Sequence, residues 1–138
     1  MSANPIVRYQ RLPKARRVLL PRALLTVTAA SLAVALFPFR TAIRLGSIGL
    51  CTRGHASSED VVWAVETVAG RMPWSTVCLQ KGLAAQHMLR ATGIDAQLHY
   101  GIRHSSGELE AHVWVTVDDE PVIGGGETLG FAEVAKFR

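Results

Sequence analysis

The sequence predicts an α+β domain in which helices pack on a small antiparallel sheet, preceded by a helical N-terminal extension. Three observations predict it. Residues 57–93 carry apolar side chains at helical spacing, and residues 96–123 switch to alternation with period two. The connections between the alternating segments are too short to hold crossover helices, so the strands must be antiparallel. A length of 138 residues allows one sizeable core and excludes two catalytic domains or a long repeat array. At 49% hydrophobic and 19% charged residues the chain is not a disordered one. Two cysteines exclude a disulfide scaffold and make a reduced, cytoplasmic setting the default.

Charge divides the chain more sharply than its net +4 suggests. Residues 1–58 hold nine basic side chains and no acidic one, whereas 59–138 hold six basic and all 11 acidic residues, so the two parts carry +9 and −5. The expected organisation is therefore a basic, apolar helical region over 1–56 and a separate folded domain over 57–138. Within the first region, Ala23–Phe39 is a 17-residue run without charge, flanked by Arg22 and Arg40. It is short for a bilayer core, which needs about 20 apolar helical residues. Three readings stay open: a helix pair buried or covered by a partner and broken at Pro38, a membrane contact through 18–45, or a cleaved signal segment. Nucleic-acid binding is not expected, because no recognition motif or aromatic interleaving accompanies the basic residues.

The elements of the second part follow in order. Ser57 or Ser58 can cap a helix whose first turn carries Glu59 and Asp60, with Val61, Val62, Val65, Val68 and Ala69 at helical spacing up to Gly70. Pro73 opens a loop. A second helix follows, capped by Ser75 or Thr76, with Leu79, Leu83, Met88 and Leu89 as its apolar stripe and Gly93 as its stop. Ala96, Leu98, Tyr100 and Ile102 then alternate with polar residues, and Ser105–Gly107 makes a turn. In the next strand Ala111, Val113, Val115 and Val117 form one face and His112, Trp114 and Thr116 the other. Asp118–Glu120 turns the chain into a short third strand at Val122–Ile123, ended by Gly124–Gly126.

Cys78 is the foremost candidate for chemistry. A cysteine in the first turn of a helix faces the positive end of the helix dipole, which favours the thiolate, and the same turn offers backbone N–H groups to an oxyanion. His112, 34 residues later on the polar face of a strand, can serve as its general base. Trp74 and Trp114 are candidates to line the substrate cleft. His87, His99 and His104 read as ordinary polar surface. Cys51 and His55 supply two ligand types but no complete metal motif, so no metal or cofactor is expected.

The segments Trp74–Ala84, Gly93–Ala96, Ala111–Val115 and Pro121–Gly125 together resemble the transglutaminase-like B2 proteins of lasso peptide biosynthesis. That resemblance implies a papain- or transglutaminase-type cysteine protease fold and a peptidase that removes the leader from a ribosomally made precursor. It assigns Cys78 as nucleophile and His112 as base. It also implies a separate B1-type leader-binding protein and an ATP-dependent lasso cyclase as partners. The family usually places an Asp about a dozen residues after the His, and counting here lands on Gly124. Glu127 is then a substitute for the third group; a backbone carbonyl or water orienting the imidazole is the alternative. A non-catalytic scaffold and an acyl transfer between amines are the rival functions on the same fold.

Overall fold

A computed structural model describes residues 5–38, 40–42, 44, 57–73, 78–125 and 131–137. Helix α1 spans Pro5–Gln10 and α2 spans Lys14–Leu36. Pro21 lies inside α2 and has no N–H to give the Arg17 carbonyl; the Tyr9 hydroxyl of α1 donates to that carbonyl instead, at 3.0 Å. Thr26 and Thr28 bond back to the carbonyls of Arg22 and Leu24, which satisfies their hydroxyls within an apolar helix.

Helix α3, Ser58–Ala69, begins as its sequence dictates: the Ser57 side chain accepts from the Asp60 N–H at 3.2 Å, and Glu59 and Asp60 sit at the positive end of the dipole. Helix α4, Cys78–Ala91, ends on Gly93 at φ +84°, with Ile94 N–H donating to the Leu89 carbonyl and Gly93 N–H to that of Arg90. This paired bonding closes the helix end and needs the left-handed glycine.

The sheet holds β1 (Ala96–Ser105), β2 (Glu108–Val117), β3 (Glu120–Ile123) and β4 (Ala132–Phe137), all antiparallel, in the order β3-β2-β1-β4. Two tight turns join the first three strands. Ser106 and Gly107 take positive φ in one, and Asp118 and Asp119 in the other, the conformation whose twist matches a hairpin. Strand β4, on the outer side of β1, was not among the expected elements. Its pairing with β1 has a bulge at Val134, and β3 pairs with β2 only from Val115 to Val117.

Leu98, Val113, Val115 and Ile123 project from one sheet face into the core against α4. Helix α4 is the middle layer, with the sheet below and α2 and α3 above. The core does not stop at the expected boundary between 1–56 and 57–138, which falls outside the described residues: Leu19, Ala23, Val27 and Ala30 of α2 are buried with Val61, Val65 and Leu83. Arg16 also bonds Asp60 of α3 at 2.9 Å while its guanidinium covers the Trp63 ring at 4.6 Å. So α2 is structural as well as basic and apolar.

Close packing of α4 on the sheet depends on Gly82. A Cβ there would meet Val113 Cγ1 at 2.8 Å and Leu98 Cδ1 at 2.9 Å, both on buried side chains. Gly82→Val is therefore expected to destabilise the fold by about 1–3 kcal/mol, the cost typical of overpacking, read as a lower urea midpoint. An unchanged or raised midpoint would show that α4 does not press on the strands as described.

Candidate active site

Cys78 is the first residue of α4 and is half-buried, packed against the edge of the core. Gly82, one turn later, rests on Val113 and Val115. Further along the helix, Gln86 donates to the carbonyls of Phe137 at 3.1 Å and Ala96 at 3.5 Å, and Arg90 donates to Ala96 at 3.2 Å. Since Ala96 lies opposite Val117, α4 advances in the direction of β2. Four helical residues back from Gly82 is about 6 Å, or about two strand residues, which brings Cys78 to the level of His112.

His112 leaves β2 from the face opposite Val113, as strand alternation requires, and is buried. Its ring lies between Trp114, with centroids 6.1 Å apart and planes 21° apart, and Phe131, with centroids 5.4 Å apart. The decisive contact is polar: Nε2 stands 2.8 Å from the Gly124 carbonyl oxygen. A carbonyl only accepts, so Nε2 carries the hydrogen of the neutral ring and Nδ1 carries the lone pair.

Gly124 is the position where the family resemblance leads one to look for an Asp. It has φ +72°, and a Cβ there would come within 2.8 Å of the Val113 carbonyl and 3.2 Å of His112 Nε2. The main chain itself thus occupies the place of an orienting side chain, and only glycine fits it. Glu127 and Trp74 lie outside the described residues, as do Cys51 and His55. Among the described residues no hydrogen bond joins Cys78 to His112; one comes from the helix face of β2 and the other from its reverse. Strand β3 pairs with β2 only from Val115 to Val117, so its ladder ends short of His112.

His99 reads as ordinary polar surface in the sequence, but the fold buries it. It is 7% exposed, its Nδ1 is paired with Glu133 of β4, and its Nε2 lies 2.7 Å from Thr116 Oγ1. It stacks on Trp114 at 5.4 Å with the planes 5° apart. The reason is tertiary: β4 brings Glu133 alongside β1, and Phe131 caps the same face, its ring covered by the Arg103 guanidinium at 4.4 Å. Trp114, expected to line the substrate cleft, is buried in this stack between two imidazoles, over Gly101, where a Cβ would meet its ring at 2.8 Å. His104 is exposed, as expected. The signal that could have exposed His99 is its register, directly opposite Trp114.

Removing His99 leaves the buried Thr116 hydroxyl without its partner and Trp114 without its stack. His99→Ala is expected to cost about 1–3 kcal/mol of stability in a urea melt. A loss of a few tenths would mean that the Glu133–His99–Thr116 chain does not brace the sheet.

The sequence profile of the transglutaminase-like superfamily matches residues 23–136, from within α2 to the end of β4. No curated protein and no solved structure matches the chain significantly. The superfamily includes cysteine peptidases, and its fold agrees with the helices and four-stranded antiparallel sheet described above. With the match covering most of the 138 residues, the chain belongs to the transglutaminase-like superfamily.

Proposed function

We propose that this protein is a cysteine peptidase that removes the leader from a ribosomally synthesised lasso peptide precursor. The observation that carries the chemistry is the His112 Nε2–H bond to the Gly124 carbonyl, which turns a bare Nδ1 into the available base. Cys78 at the start of α4 supplies the nucleophile. In this reading thiol and imidazole come together when the substrate closes the site, since catalytic hydrogen bonds commonly tighten only in the substrate complex. The peptide substrate class rests on the resemblance of the Cys78 and His112 segments to the B2 proteins.

The reaction follows from these groups. His112 Nδ1 takes the Cys78 proton, and the thiolate adds to the scissile carbonyl carbon. The first-turn N–H groups of α4 receive the oxyanion. The imidazolium then gives its proton to the leaving amine as the C–N bond breaks, which leaves a thioester on Cys78. Water, deprotonated by the same Nδ1, adds to the thioester and releases the leader acid. A separate B1-type protein presents the leader, and the lasso cyclase takes the freed core peptide.

The test combines the full chain with precursor and leader-binding protein and follows cleavage by mass spectrometry. Cys78→Ala should abolish cleavage while the protein stays folded; cleavage at the wild-type rate would end the proposal. Gly124→Ala should reduce cleavage by about 10–100-fold, in line with misorientation of a catalytic group. Gly124→Asp should do no better, since its Cβ has no room beside Val113; full activity in that variant would show that the family's acid fits here after all.

One observation favours a second reading, a non-catalytic scaffold: Cys78 starts the helix that packs on one face of the sheet, whereas His112 projects from the other. A thiol-directed probe separates the two. Labelling of Cys78 at neutral pH that is slowed by His112→Ala supports the peptidase, and no labelling in the presence of precursor and partner supports the scaffold.

A further inference from the structure

Helix α2 buries one stripe, Leu19, Ala23, Val27, Ala30 and Ser31, against α3 and α4. Its opposite side is apolar too. Val18, Leu25 and Leu32 follow one another at seven-residue intervals on a single ridge and are 48%, 72% and 56% exposed; Leu36 extends the ridge at 72%. A helix that is apolar all round is normally covered on every side. Basic side chains frame the ridge: Arg11 and Lys14 are exposed before its N-terminal end, Arg22 between Val18 and Leu25, and Arg40 just beyond Phe37, and no carboxylate occurs anywhere in residues 1–58.

We propose that this outer face of α2 docks the protein on an anionic lipid bilayer, with the helix lying in the plane of the interface. Charge decides the occupant. A second copy seated on the ridge would bring an equally basic segment and no anion, whereas anionic headgroups answer the flanking Arg and Lys and the acyl region takes the leucines. Packing decides the orientation. A helix crossing the bilayer would have to withdraw Leu19, Ala23 and Val27 from the core and Arg16 from Asp60, so α2 lies along the surface with its inner stripe still on the domain. A groove of about 410 Å³ between α2 and α4, lined by Leu25, Ala29, Ala33, Leu83 and His87 among others, opens beside the ridge and extends the apolar surface.

The experiment is vesicle flotation with the full chain, comparing phosphatidylcholine vesicles with vesicles that also contain phosphatidylglycerol. Binding is expected only to the anionic vesicles, weakening as salt rises. The double variant Leu25→Gln, Leu32→Gln should bind about tenfold or more weakly, with an unchanged circular dichroism spectrum and melting curve, because both side chains point outward. A paired variant, Lys14→Gln with Arg22→Gln, should lose the preference for anionic vesicles. The proposal is overturned by failure of the wild type to float. It is equally overturned by flotation that the leucine variant leaves unchanged, or by lipid-free dimerisation that this variant abolishes, which would assign the face to a second copy. None of these outcomes depends on peptidase activity.

Discussion

One hydrogen bond, from His112 Nε2 to the carbonyl of Gly124, sets the chemical character of the site. It fixes the tautomer of a buried imidazole, aims the ring at the edge of β2, and does so without a carboxylate. Everything needed to make it is a backbone matter: the short β3, its bulged pairing with β2, and a glycine at φ +72° that turns the chain so its carbonyl points back at the ring. A main-chain acceptor is neutral, so it orients the imidazole without adding the charge an Asp would bring to the imidazolium formed during attack. For the proposed peptidase the expected consequence is a slower reaction than an Asp-oriented one, with the orientation of the imidazole set by backbone position at Gly124.

The remaining architecture holds the two sides of that edge in place. On the helix side, Gly82 lets α4 settle onto Val113 and Leu98, which sets how far along β2 the first residue of the helix falls. Helix α2 packs against α4 from above and is tied to α3 through Arg16, Asp60 and Trp63, so the N-terminal segment presses α4, the helix that Cys78 begins, onto the sheet. On the reverse side, His99, Trp114, His112 and Phe131 form a row of rings locked at one end by Glu133 and Thr116. The imidazole proposed as base is thereby confined between aromatic faces.

Much of this was legible in the residues. Ser57 with Asp60, Gly93 after an apolar stripe, and the alternation around Val113 and Val115 are local signals, and each produced the element it announces. Cys78 at a helix start and His112 on the polar strand face were legible for the same reason. What escaped depends on partners distant in sequence. His99 looks like surface because its neighbours Gln97 and Arg103 are polar; it is buried by β4, which arrives 34 residues later with Glu133. Helix α2 looked separable because composition reports charge, not packing, and its small buried residues, Ala23, Ala30 and Ser31, give little hydrophobic contrast between its faces. A backbone carbonyl orienting His112 was legible as an alternative, but not that Gly124 supplies it, since a carbonyl's direction follows from backbone angles.

The ¹⁵N chemical shifts of the His112 imidazole in the neutral ring report whether the Gly124 carbonyl holds that ring in one tautomer. Nε2 should carry the proton and Nδ1 should show the shift of a bare nitrogen, with the pattern collapsing toward an exchanging mixture in Gly124→Ala. A wild-type ring protonated at Nδ1, or one that exchanges freely between tautomers, would contradict the account.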